Sequence, residues 1–250
     1  MNYLRNDHQC CLTLVPIFCK TLVAMNKKNP SGFTLIELLV VIAIIATLAA
    51  FAVPALTSAL TRGQMTGTLN NMHQFHLAAQ QMAIDGASNS DPTLGWPGDM
   101  NPAPTALSAY CDALISNNYL QAGDVKKILS APGANCVFSG GTYSGSTYTA
   151  ISGLSSPALK VYLVNGSNPS NTIFCETANY TYNTALPSAG VPYSDKGFIV
   201  QRRGGDAVLL RKAQAVAGGN GTTFQTTVGR VPGDTDGVPG AETGVVLTSN

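Results

Sequence analysis

Charge is scarce in this 250-residue chain: 11% of its residues are Asp, Glu, Lys or Arg, and the formal net charge is +1. The chain therefore lacks the basic stripe or strongly basic domain that marks nucleic-acid binding. Histidine is rare, with three copies, and no Gly-x-Ser-x-Gly elbow, HExxH pair or Walker loop occurs. The motifs of serine-based acyl transfer, zinc proteolysis and nucleotide hydrolysis are thus missing, and no enzymatic role is expected. Six cysteines include no CxxC and no Cys/His spacing suited to zinc. No internal repeat is visible. Gly, Ser, Thr, Asn and Pro crowd the later part of the chain, a mix that suits an exported, loop-rich β domain.

What the chain does have is a long apolar run with an acid at its start. Ser31-Gly32-Phe33-Thr34-Leu35-Ile36-Glu37 leads directly into Leu38–Leu56, and no charge occurs from Leu38 to Thr61. Those 24 positions span about 36 Å as a helix, enough to cross a hydrocarbon core of about 30 Å. A charged side chain in such a helix costs roughly 2.5–3.5 kcal/mol at the bilayer centre. Glu37 is therefore a functional residue by default, and it needs a partner. An ordinary signal anchor, the alternative, needs neither Gly32-Phe33 nor Glu37.

Lys27, Lys28, Gly32, Phe33, Thr34, Leu35, Ile36 and Glu37, in that order, resemble the N-terminus of type IV prepilins and of the pseudopilins of type II secretion. The resemblance covers about residues 25–60 and says little about 87–250. It implies cleavage between Gly32 and Phe33 by a prepilin peptidase, followed by N-methylation of Phe33. Glu37 becomes the fifth residue of the mature chain, where it pairs with the Phe33 amine of a neighbouring subunit and sets axial register. Pro54 sits where the family commonly has a proline, and a kink or local melting is expected around Ala50–Pro54. The implied fold is α+β: a long N-terminal helix, both membrane anchor and stalk, packed on a small antiparallel β-sheet head.

Residues 1–24 fit no Sec-type signal, because their apolar stretch is short and broken by Pro16. Translation is expected to begin at Met25, with a genuine long leader as the alternative. Lys27 and Lys28 favour a cytoplasmic leader and an exported body. The expected layout is a leader over 1–32, a helix over 33–85 with its membrane segment at 38–56, and a head over 86–250. Cleavage leaves 218 residues with ten bases and twelve acids.

Beyond Thr57 the helix turns amphipathic through Leu69, Met72, Phe75 or His76, Ala79, Met82 and Ala83. Asp85-Gly86 reads as its C-terminal stop. Further helices are expected over 105–119 and 123–129. Short strands follow at 148–151, 159–164, 172–175, 180–183, 198–202 and 207–210, with an edge strand at 224–228. Cys111, Cys136 and Cys175 remain after cleavage; a Cys111–Cys136 disulfide is the favoured pairing, against three buried thiols. His73 and His76 share a helical face but no carboxylate completes a metal site, so they read as surface or interface residues. Gly233-Asp234-Thr235-Asp236-Gly237 resembles the start of a calcium loop, although Val238 and Val245 stand where an EF-hand needs ligands. Irregular calcium coordination by Asp234 and Asp236 is weighed against an acidic solvated turn.

These features lead to a structural subunit of a type II secretion pseudopilus. It is expected to cross the inner membrane once, with a periplasmic head, and to be built into a filament of identical or related subunits by an assembly platform. A true type IV pilin for adhesion or motility shares the N-terminal motif and is the first alternative. A prepilin-tethered carbohydrate-binding head is the second. The pseudopilin is preferred because Cys175 is the last cysteine, so the C-terminal cysteine pair of many type IV pilins is missing. Calcium is the one cofactor considered, and no nucleic-acid partner is implied.

Overall fold

The computed structural model describes residues 32–248. Residues 1–31, with the Met25 start and the Lys27-Lys28 pair, lie outside the described residues. The chain forms two compact units, one ending at Ala49 and one beginning at Ala50. The described part of the first unit is Gly32–Thr34 and the N-terminal portion of α1 (Leu35–Asn89). Its side chains are all exposed, Leu35, Ile36, Leu39, Ile42 and Ile45 among them. Among the described residues α1 alone is long and apolar enough to cross a membrane.

The second unit holds the rest of α1, the helices α2 (Leu107–Ser116) and α3 (Ala122–Ile128), three small antiparallel sheets and a short helix α4 (Gly221–Thr227). Together with the apolar N-terminal helix this is a pilin-like α+β arrangement. Met65, Thr68, Met72, Phe75, His76, Ala79 and Met82 form the buried stripe of α1, as the three- and four-residue spacing required. Phe75 anchors it, stacked on Phe174 at 5.5 Å and edge-on to Tyr110 at 6.1 Å.

The end of α1 departs from expectation. Gly86 does not stop the helix, which runs on to Asn89. The left-handed residue is Ser90, at φ 52°, and the Asp91 N–H donates to the Gly86 carbonyl at 2.9 Å, closing the helix in a Schellman-type turn. Gly86 instead allows close approach: a Cβ there would lie 2.1 Å from the Leu94 carbonyl oxygen. Its reason lies across the fold, not along the helix.

The main sheet is a four-stranded meander of β5 (Leu159–Val161), β6 (Ile173–Thr177), β7 (Phe198–Arg202) and β8 (Ala207–Leu210). Glu176 pairs with Val200, and Phe198 with Leu210. β6 is buried at every position and β7 at all but Arg202, so both sheet faces are covered and strict alternation is absent. Two lesser pairs precede it, β1 (Val137–Ser139) with β4 (Ser152–Ser155) and β2 (Thr142–Ser144) with β3 (Thr147–Thr149). The C-terminal segment covers the outer edge of β5. Leu247 N–H donates to the Val161 carbonyl and Leu163 N–H to the Val245 carbonyl, so that edge is not left open.

Two expected strands are corrected. Residues 180–183 form a turn in which Asn183 has φ 56°. Their Tyr-x-Tyr alternation reflects two buried rings anchored by their hydroxyls, Tyr180 to the Ala215 carbonyl at 2.8 Å and Tyr182 to the Gly229 carbonyl at 2.9 Å. Residues 224–228 belong largely to α4. The Asn220 side chain caps that helix by accepting the Thr223 N–H at 3.0 Å. Arg202 donates to the Thr226, Thr227 and Val228 carbonyls at its other end. These caps outweigh the β propensity of the threonines.

Candidate functional site

Phe33 and Glu37 bracket the first turn of α1. The Glu37 Oε2 accepts the Thr34 N–H at 2.8 Å and the Thr34 hydroxyl at 2.7 Å, while the Thr34 hydroxyl accepts the Glu37 N–H at 3.3 Å. This reciprocal arrangement is a capping box, with Thr34 as N-cap and Glu37 as third helical residue. The Thr-x-x-Glu spacing announced it, but sequence reasoning treated Glu37 as an acid awaiting a partner from outside. Glu37 Oε1 makes no hydrogen bond among the described residues. One carboxylate therefore fixes the start of the helix and still presents an oxygen outward. Negative charge is favoured at this end of a helix as well, because the first N–H groups point toward it.

Pro54 lies inside α1, and helix is assigned on both sides of it without the expected melting at Ala50–Pro54. The Thr57 hydroxyl donates to the Pro54 carbonyl at 2.9 Å. Proline leaves the carbonyl four residues back, that of Ala50, without its donor.

The expected Cys111–Cys136 disulfide is not formed. Cys111, Cys136 and Cys175 are buried thiols. Burial pushes all three pKa values up, that of Cys136 to about 11, so each behaves as a small core side chain rather than a nucleophile. His76 is buried, not superficial: its Nε2 lies 2.8 Å from the Arg203 carbonyl and its ring packs against Trp96 and Phe174. Burial lowers its pKa.

Asp234 and Asp236 each have a protein partner. Asp236 pairs with Arg230, and Asp234 Oδ1 accepts the Gly240 N–H at 2.8 Å. Among the described residues no group of three or more His, Cys, Asp or Glu side chains is placed to hold a metal. Glu242, which follows this loop in sequence, is engaged elsewhere.

That engagement is the chemistry sequence reasoning missed. Lys160 Nζ lies 2.9 Å from Glu242 Oε2 and 3.2 Å from Glu176 Oε1, and Glu242 also accepts the Tyr182 N–H. Glu176 is fully buried in the middle of β6, yet neither of its oxygens receives a well-directed hydrogen bond. Burial pushes its pKa well up, Lys160 acts downward against this, and the neighbouring Glu242 adds to the rise. For Glu242 burial acts upward too, but Lys160 and the Tyr182 N–H prevail and keep it below the usual carboxylate value. No local pattern in Ile173–Thr177 signalled this cluster.

Comparison with known proteins places this geometry. A family model described as "Prokaryotic N-terminal methylation motif" matches residues 27–53. The chain is 37% identical over 70 residues to a "Type IV major fimbrial protein FimA" of Dichelobacter nodosus, which is 28% of this chain and 45% of that protein. It is 36% identical over 113 residues to the "Fimbrial protein EcpC" of Eikenella corrodens, 45% of this chain and 63% of that protein. The chain thus spans about half to three fifths of the length of these relatives. No solved structure matches it significantly. An N-terminal methylation motif and fimbrial relatives make the N-terminal part of this chain similar to type IV fimbrial proteins.

Proposed function

We propose that the chain is a structural subunit of a type IV pilin-like filament of the cell envelope. It is cut between Gly32 and Phe33 by a prepilin peptidase, N-methylated on Phe33, and anchored by α1 in the inner membrane with its head in the periplasm until assembly. The observation that carries this reading is the Gly32-Phe33…Glu37 junction placed directly ahead of a helix whose apolar side chains over 35–60 find no cover among the described residues. Each large apolar side chain gains about 1.5–3 kcal/mol on leaving water, so lipid and then neighbouring helices must supply the cover. In the filament, Glu37 Oε1 meets the Phe33 ammonium of a neighbour, and each charge offsets the other's burial. Intact mass and N-terminal sequencing of membrane-extracted protein test the processing: the expected species begins at methylated Phe33. A chain that retains Gly32 in the assembled fraction overturns the reading.

Between filament types, the fimbrial relatives support a pilus. The second reading is a pseudopilus of type II secretion, favoured by a C-terminal segment tied down by Lys160–Glu242 and the β5 edge instead of a cysteine pair. Deletion of the gene separates the two: loss of surface fimbriae assigns a pilus, and loss of protein secretion with fimbriae intact assigns a pseudopilus.

A further inference from the structure

The charge-free run along α1 ends at Thr61, and the next residue, Arg62, is exposed. Arg62 and Lys196 line one recess of about 400 Å³, together with Thr57, Ser58 and Thr61. Lys196 belongs to the loop before β7, and that loop is stapled to the helix at this level. The Tyr193 hydroxyl lies 2.6 Å from Thr68 Oγ1 and donates to the Gln64 carbonyl at 3.2 Å. Gly197 sits so tightly over Met65 that a Cβ there would come within 3.2 Å of the Met65 methyl. Lys212 joins the same place through Asp195, whose two oxygens lie 3.0 Å from Lys212 Nζ and 3.9 Å from Lys196 Nζ. Two exposed cations thus share a single acid, and a third, Arg62, has no carboxylate partner among the described residues. The sequence scatters these residues over 150 positions.

We infer that Arg62, Lys196 and Lys212 form a clamp for anionic phospholipid headgroups on the leaflet from which α1 emerges. The apolar positions Phe51, Val53, Leu56 and Leu60 are exposed just before Arg62, so a bilayer covering them ends at the level of the recess. Headgroup phosphates lie at that level. Two cations and a row of hydroxyls match the charge and hydrogen-bonding needs of a phosphodiester. Each basic group near an anionic surface strengthens attraction about fivefold, and the effect fades beyond a Debye length. The clamp would hold the head against the membrane and release it when the subunit is withdrawn into a filament. The inference rests on the membrane-anchored reading above.

The test uses the full chain reconstituted in nanodiscs of phosphatidylcholine alone or with phosphatidylglycerol added. Co-purification with the disc reports anchoring on its own, so failure to insert is distinguished from failure to clamp. Amide exchange over residues 193–197 and 211–214 reports the head. The expected result is slower exchange in the anionic discs, by about fivefold or more, lost in high salt and lost in Arg62→Gln/Lys196→Gln. Both substituted residues are exposed, and an unchanged near-ultraviolet circular dichroism spectrum verifies the fold of the variant. Equal exchange in neutral and anionic discs, or an unaffected variant, overturns the proposal. Inorganic phosphate that protects equally well in neutral discs would reduce the site to one for an adventitious ion only. Protection that follows the number of subunits per disc, not lipid charge, would assign the patch to a second copy of this chain.

Discussion

At the scale of single residues, Glu37 is proposed to carry two tasks with two oxygens. Oε2 serves the capping box with Thr34, and Oε1 is the oxygen proposed to meet a neighbour's ammonium. The tasks separate by substitution. Thr34→Ala removes the cap and should cost about 1 kcal/mol of helix stability while leaving the charge in place. Glu37→Gln keeps an acceptor for the cap but removes the charge. It should insert and be cleaved, yet enter sheared filaments poorly, since breaking a buried pair costs roughly 3–5 kcal/mol. Normal incorporation of Glu37→Gln or Glu37→Val, read by immunoblot of the filament fraction, would sink the pairing. Glu176 gives a second test. Its folded pKa is raised, so its contribution to stability is complete below the ordinary value near 4.5 and is lost as pH climbs through the raised one. Glu176→Gln should therefore gain on the wild type as pH increases from about 5 to about 8 in denaturant titrations, with the gap closing in acid. Glu242 runs the other way, its contribution fading as pH falls through its lowered pKa. A gap that does not change with pH would show Glu176 to be ionised already.

Among elements, α1 shows how far local rules reach. Its apolar span, its amphipathic stripe from Met65 to Met82 and its interior proline were all legible, because each depends on spacing along one helix. Its C-terminus was not, since the reason for Gly86 is the Leu94 carbonyl beside it. Gly86→Ala should destabilise the chain by about 1–3 kcal/mol through that clash, despite alanine's better helix propensity. A melting temperature equal to or above the wild type would return Gly86 to the role of a simple stop. The same contrast explains 180–183 and 224–228. Alternating tyrosines and a run of threonines look like strands in isolation, but hydroxyl anchors and the Asn220 cap decide otherwise.

Over the whole second unit, the last residues are held by the first strand of the main sheet. Lys160 on β5 binds Glu242, and Val245 and Leu247 bond to the same edge. Lys160→Met leaves the buried Glu176 and the partly buried Glu242 without their cation and should cost about 3–5 kcal/mol, more than a surface pair would. Faster amide exchange at Leu163 and Leu247 should accompany it, because the segment loses its tether before the sheet opens. Unchanged exchange at those two amides would uncouple the ion cluster from the C-terminal segment. The thiols give a simpler check: with all three buried and unpaired, reduction should leave the electrophoretic mobility of the processed chain unchanged.

The sequence by itself determined the methylation motif, the long apolar helix and the α+β class, because each follows from neighbours within a turn or two. Only the tertiary structure decided what the head's polar residues do. Lys160, Glu176 and Glu242 meet across three separate segments, Arg62 and Lys196 line one recess, and Arg230 pairs with Asp236 in the loop weighed for calcium. Charge acts through space, whereas a sequence displays only distance along the chain.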